Sequence, residues 1–326
     1  MKQLLDLKPT TYQRHLIHGE GRAWAETNCY SDVIVELLHG LGHEPIAALA
    51  FTLGIDFEGD QWTFFKFPQT DLEFLFGLEI QELNPWRSLA HHIEEQIGLG
   101  RPVLVELDSY FLPDTAGTAY KLAHVKSTVA VNKIDIAGSV LGYFHNQSYH
   151  ELSGQDFKDI FQIDGLVHPR MLPPYIEFMK RHPVSQSSSQ LVEKSLTLLK
   201  KHLARVPKEN PFLVFKERFS RDLEWLMNAD IEVFHGYSFA TLRQYGACFE
   251  LTETYLKWLQ GHGQTGLEKA IESFQQISQT AKTFQFQLAR AMARRKLLDM
   301  APLDTMATHW STGMNELRNQ SAGRAR

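Results

Sequence analysis

The hydrophobic pattern changes period partway along the chain. In "SDVIVELLHGLG", Val33, Ile34, Leu37, Leu38 and Leu41 recur at helical spacing, and Gly40 and Gly42 mark the stop. "QWTFFKF" (61–67) reads as an aromatic strand, and "RPVLVEL" (101–107) as a buried strand introduced by Pro102. "STVAVNKIDI" and "SVLGYFHN" flank Ala137-Gly138 and predict an antiparallel hairpin. Between these strands "SLAHHIEEQIGLG" predicts an amphipathic helix, with His91-His92 facing solvent. A helix followed by mostly antiparallel strands predicts an α+β domain rather than a doubly wound sheet.

The segment "RHPVSQSSSQ" (181–190) is a proline- and serine-rich boundary. Beyond it the period is helical almost throughout: "SQLVEKSLTLLKKHLARV", "NPFLVFKERFSRDLEWLM", "FATLRQYGACFELTETYLKWLQG" and "GLEKAIESFQQISQTAKTFQFQLARAMARRKLLD". The expectation is therefore an α+β domain over residues 1–180 and a helical bundle over 190–320.

Composition narrows the classes of function. Among 326 residues, 43% are hydrophobic and 22% charged, as in soluble globular proteins. A net charge of -5 supplies no basic field, so nucleic acid is not an expected partner. No run approaches the roughly 18 apolar residues of a spanning helix, so no membrane partner is expected. Two cysteines, Cys29 and Cys248, provide neither a disulfide framework nor a zinc pattern, and a reduced, cytoplasmic chain without metal is expected. The acidic run Asp56, Glu58, Asp60 lacks the ligand pattern of a calcium loop and reads as a polar turn.

Cys29 carries the candidate chemistry. In "ETNCY" it stands where the first helix begins, and the N–H groups and dipole of a helix start favour a thiolate. The alternative is a small packing residue, which is the stronger reading for Cys248 within "YGACFELTETYL". A nucleophilic thiol needs a base and the base an orienting group. His124 opens the first strand of the predicted hairpin and Asn146 closes the second, the chain order of papain-like enzymes. His145 and His150 compete for the role of base, and Asp108 for that of orienting residue. Asn28 and Glu26 lie beside the thiol as further orienting or oxyanion candidates. Trp62, Phe64, Phe65 and Tyr110 would offer an apolar, substrate-binding wall.

The blocks "ETNCYSD", "ALAFTLGIDFEGDQWTFFKFP", "ELNPWR", "VELDSYFLPDTAGTAY" and "LGYFHNQSYHEL" resemble a bacterial domain-of-unknown-function family, number 1839. More distantly, the N-terminal half is similar to the N-terminal domain of butirosin-pathway acyltransferases. That resemblance implies a papain-like fold followed by a helical part, and transfer of an acyl group from a carrier-protein thioester to an amine. Its pattern matches here at Cys29, at "DSYFLP" from Asp108, and at His124 before a hydrophobic strand. It departs at Asn28, where histidine would be expected, and at "VKST" after His124, where the family runs apolar.

The function expected on this basis is an acyl- or aminoacyltransferase working through Cys29, His124 and Asn146. The resemblance implies as partners an acyl or aminoacyl carrier protein, its synthetase-like ligase and a small-molecule amine or hydroxyl acceptor. No bound cofactor is needed, because the carrier brings the phosphopantetheine arm. A carrier is acidic around its modified serine, so Arg290, Arg294 and Arg295 would form the docking surface, and the helical domain would help to wall the cleft. The alternatives are a cysteine hydrolase (peptidase, amidase or thioesterase) of the same fold, or a non-catalytic module that binds the carrier or ligase.

Overall fold

The computed structural model describes residues 1–163 and 174–323. They form two compact units that are discontinuous in sequence. The first comprises Met1–Gly19, Asn28–Pro45 and Pro68–Ser185; the second takes Glu20–Thr27, Ile46–Phe67 and the chain from Gln186 onward. The last change of unit falls between Ser185 and Gln186. However, two stretches of the N-terminal half, 20–27 and 46–67, belong to the helical unit.

In the first unit, β1 (Lys2–Gln3), α1 (Cys29–Gly40), α2 (Gln69–Phe76), β2 (Leu78–Glu82), α3 (Leu89–Gly98) and β3 (Val103–Asp108) come first. They are followed by β4 (Lys126–Asp135), β5 (Val140–His145), β6 (Ser148–Ser153), α4 (Gln155–Ile160) and β7 (Ile176–Arg181). The strands pair in the order β2-β7-β3-β4-β5-β6, with β1 added to β4, and every pairing is antiparallel. The α+β class and the hairpin around Ala137-Gly138 are as the pattern predicts. Asp135 closes that hairpin by accepting the Gly138 N–H at 3.1 Å.

Alternation decides what each face does. Val103, Val105 and Leu107 of β3 and Val129 and Val131 of β4 point into one buried core with Ile93 and Ile97 of α3. Leu104, Glu106 and Asp108, with Thr128 and Ala130, therefore point to the opposite face, where α1 packs on β4 and β5. Tyr30, Val33, Ile34, Leu37 and Leu38 bury the matching stripe of α1. At roughly 1.5–3 kcal/mol for each fully buried apolar side chain, this face outweighs any single polar contact in seating α1.

His92 corrects one expectation. It is buried, because its Nε2 accepts the N–H groups of Trp86 and Arg87 at 3.1 and 3.2 Å and so completes the start of α3.

The second unit contains α5 (Ser188–Leu203), α6 (Pro211–Asn228), α7 (Ile231–Ser238), a π-helical turn (Phe239–Arg243), α8 (Gln244–Gly261), α9 (Glu268–Arg294) and α10 (Ala301–Gly323). Sequence signals set several ends. Ser187 and Gln190 form a capping box at α5, and Asn210 caps α6 with Pro211 at its first position. The run read as one helix to Asp299 breaks at Arg295, whose left-handed backbone closes α9.

The aromatic block 61–67 is not a strand; among the described residues its only pairing is the isolated bridge Phe57–Trp62. Trp62 instead fills the bundle core, with ring centroids 5.0 Å from Phe212, 5.6 Å from Phe215 and 4.8 Å from Tyr245. Trp24 packs against α8 where a Cβ on Gly246 would come within 2.3 Å of the indole, so only glycine admits it. These rings explain why the segments that carry them belong to the helical unit.

Candidate active site

Cys29 is the first residue of α1. Asn28 caps the helix, its side-chain oxygen accepting the Ser31 N–H at 2.9 Å, and Asp32 adds an acid to the first turn. A helix start presents its first N–H groups outward, and the Cys29 N–H is the first of α1, which gives the thiol an electropositive setting. The thiol is half-buried, and its Sγ lies 3.8 Å from Thr128 Oγ1 on β4.

His124 stands just ahead of β4. Its Nδ1 is 2.6 Å from Asp108 Oδ2, and its ring stacks on Tyr110 at 4.4 Å between centroids and 12° between planes. Asp108 is held in turn, since its Oδ1 accepts the Tyr110 N–H at 3.0 Å. Asp108 and Thr128 share the α1 face of the sheet, so the histidine's partner and the thiol's partner lie on one side. Lys126 does not bear on the imidazole alone, because its ammonium is 2.8 Å from Glu106 Oε1. The imidazole is largely exposed, at 69% of its side-chain surface.

The expected Cys29–His124–Asn146 constellation is only partly brought together. The bonded partner of Cys29 Sγ is Thr128, not His124. Asn146 lies in the β5–β6 turn with a positive φ of 49°. Ala130 pairs with Phe144, so continuing the ladder sets Asn146 opposite position 128 rather than 124. Asp108, across the ladder from Lys126, is the carboxylate bonded to the His124 ring. The sequence signal for it was present: an acid ending the strand that precedes the histidine.

Tyr30, next to the thiol, donates its hydroxyl to Glu177 Oε2 at 3.1 Å, and Tyr175 donates to Glu177 Oε1 at 2.8 Å. Burial first, and then the Glu177 charge, push the Tyr30 hydroxyl pKa well up, so it remains a donor.

The other expected site residues lie elsewhere. Glu26 is in the helical unit, where Arg243 Nη2 donates to its carbonyl at 3.0 Å. Trp62 and Phe65 are buried in that unit's core, and Phe64 is 43% exposed. Arg290, Arg294 and Arg295 are exposed and form no ion pair among the described residues, while Asp299, a nearby acid, caps Ala301. Cys248 is fully buried, and burial alone holds its thiol well above the ordinary range. Among the described residues no cluster of histidine, cysteine and carboxylate side chains could hold a metal ion. No described helix is long and apolar enough to cross a membrane.

A helix-start thiol and an acid-bonded imidazole thus lie on the same sheet face without touching each other among the described contacts. Comparison with known families identifies the chain at the level of its domains. Residues 13–181 match the DUF1839 N-terminal domain and residues 188–319 the DUF1839 C-terminal domain. The chain belongs to the DUF1839 family. No curated protein matches it.

Proposed function

We propose that the chain is a cysteine-dependent acyltransferase of papain-like architecture. It moves an acyl or aminoacyl group from a carrier-protein phosphopantetheine thioester, through Cys29, to an amine or hydroxyl acceptor. The observation that carries this reading is the half-buried thiol at the start of α1, on the sheet face that also holds the His124–Asp108 pair.

The chemistry follows from those groups. Cys29 Sγ attacks the thioester carbonyl, and His124 takes its proton. Asp108, holding Nδ1, leaves Nε2 as the basic nitrogen. The helix-start N–H groups stabilise the oxyanion. The carrier thiol leaves with the proton from His124. The acceptor amine or hydroxyl then attacks the acyl-cysteine carbonyl and gives its proton to His124, which returns it to Cys29 Sγ as the carbon–sulfur bond breaks. His124 must leave its stack on Tyr110 to reach the thiol. Its exposure permits that rotation, and catalytic contacts commonly tighten only when substrate is bound. Arg290, Arg294 and Arg295 offer unpaired positive charge for an acidic carrier.

The Thr128 contact favours a second reading, a non-catalytic module that binds the carrier or its ligase, because a resting thiol bonded to a hydroxyl has no base at hand. Intact mass after incubation with an aminoacyl-carrier thioester separates them. An adduct of one acyl group, lost in Cys29→Ala and discharged by an added amine, supports transfer. Discharge by water at the same rate without an amine indicates a hydrolase. A folded chain that binds the carrier but never gains mass overturns the catalytic reading.

A further inference from the structure

The opposite face of the same sheet holds acid–base groups that acyl transfer through Cys29 does not use. Successive strand residues point to opposite faces. Thr128 reaches toward α1, so Ser127 points with Val129 and Val131 to the other side. There Ser127 Oγ lies 2.7 Å from His145 Nε2, and His145 Nδ1 lies 2.5 Å from Asp114 Oδ2. The Tyr143 hydroxyl donates to the second Asp114 oxygen, also at 2.5 Å.

Each member is fixed by its element. His145 and Tyr143 are two residues apart on β5 and share a face. Asp114 lies in the one-turn helix Pro113–Thr115, pinned by the Thr115 hydroxyl to the carbonyls of Ser109 and Leu112 at 3.0 and 2.9 Å. Burial alone would raise the Asp114 carboxyl, but the bond from His145 and its charge hold it below the usual carboxylate range. An ionised Asp114 accepts the hydrogen bond from Nδ1–H, which leaves Nε2 as the acceptor for the serine hydroxyl.

A structural role explains this order of groups poorly. Burying an ionised carboxylate beside an imidazole costs several kcal/mol per charge, and apolar side chains of similar size hold a sheet equally well. Hydroxyl to Nε2 and carboxylate to Nδ1 is instead the connectivity that activates a serine, recognisable by geometry rather than by position in the chain.

We propose that Ser127 is a second nucleophile, activated by His145 and oriented through Asp114, that accepts compact acyl groups from small carboxylic esters. Ser127 Oγ bonds to the ester carbonyl carbon while its proton passes to His145 Nε2. The carbon–oxygen bond to the alcohol breaks, and the alcohol leaves with that proton. Water then attacks the acyl-serine, His145 again carrying the proton, and releases the acid and the free serine. Ser127 is 8% exposed and His145 1%, so bulky acyl groups are disfavoured and the proposed ester is a compact one.

The test uses the full chain with Cys29→Ala, so that its outcome is independent of the thiol reading. The probe is a small alkyl fluorophosphonate, which would form a stable serine–phosphorus bond with loss of fluoride. One adduct is expected, mapping to the peptide that contains Ser127 and absent after Ser127→Ala. Asp114→Asn should slow labelling at least about tenfold while far-UV dichroism and the melting temperature show a folded chain. His145→Gln serves if Asp114→Asn does not fold. A folded Cys29→Ala chain with no adduct on Ser127, or one whose labelling rate ignores Asp114→Asn, overturns the proposal.

Discussion

Asp108 and His124 meet at 2.6 Å beyond the end of the β3–β4 ladder, carboxylate Oδ2 to imidazole Nδ1. The bond fixes which ring nitrogen carries the proton, so in the proposed transfer the orienting role falls to Asp108 rather than to Asn146. Asp108→Asn should therefore lower the transfer rate through Cys29 by about 10- to 1,000-fold with KM little changed, since the asparagine favours the wrong tautomer. Asn146→Ala should leave the rate within about twofold. Steady-state kinetics with a loaded carrier decide it, and the reverse ranking would restore Asn146 to the site.

The helical unit yields a contrast within one aromatic block. Trp62 lies among Phe212, Phe215 and Tyr245, and its buried indole nitrogen has no hydrogen-bond partner among the described residues. Trp62→Ala should cost about 3–5 kcal/mol of stability by opening a cavity. Trp62→Phe should cost clearly less, because it also removes the unsatisfied N–H. Phe64→Ala, at a half-exposed ring, should stay within about 1 kcal/mol. Chemical denaturation of the three variants checks the order; equal losses would show that Phe64 carries packing its exposure hides.

Much of the architecture was legible because it rests on local periodicity. Alternation set β3, β4 and β5, a glycine-bounded apolar stripe set α1, and caps and prolines set the bundle helices. The candidate site was legible where it depends on one element, as with Cys29 at a helix start or His124 ahead of a strand. It was not legible where it depends on register. Asp135 pairs with Val140 and Ala130 with Phe144, so the ladder carries Asn146 opposite position 128, whereas His124 lies beyond the start of β4; the strand runs alone do not show that offset. Nor does a local pattern show which core an aromatic run will join. "QWTFFKF" has the composition of a strand, yet Trp62 and Phe65 are buried as long-range packing residues of the bundle.

Arg290 and Arg294 are four residues apart on α9 and share an exposed face, with Arg295 following in the left-handed turn. Charge reversal of Arg290 and Arg294 to glutamate should weaken carrier binding several-fold without altering alkylation of Cys29 by a small reagent. The effect should shrink with added salt, since exposed charges are screened beyond about 8–10 Å at physiological ionic strength. Calorimetric titration at two salt concentrations measures it. An affinity unmoved by the reversal would remove this face from the docking surface.

A buried His18 behind the start of α1 makes stability depend on pH in a defined direction. Its Nδ1 is 2.5 Å from Glu36 Oε1 and its Nε2 is 3.2 Å from Asp32 Oδ1, while Glu36 also accepts the Tyr12 hydroxyl and the His15 N–H. Burial alone would lower its pKa, but the hydrogen bonds and charges of Asp32 and Glu36 overcome that and raise it from 6.5 to about 9. The folded chain therefore holds this proton more tightly than the unfolded chain. The resulting stabilisation, on the order of 3 kcal/mol, is fully present below the unfolded value near 6.5 and is lost as pH rises through about 9. His43, His92 and His150 have pKa values lowered by burial and act in the opposite sense as pH falls below 6.5, so the His18 contribution shows on the alkaline side. The urea midpoint should fall between pH 7 and 9.5, and the His18 imidazole resonance should titrate within that interval. A His18 resonance that titrates near 6.5 in the folded protein would mean that Asp32 and Glu36 do not hold a charged imidazole between them.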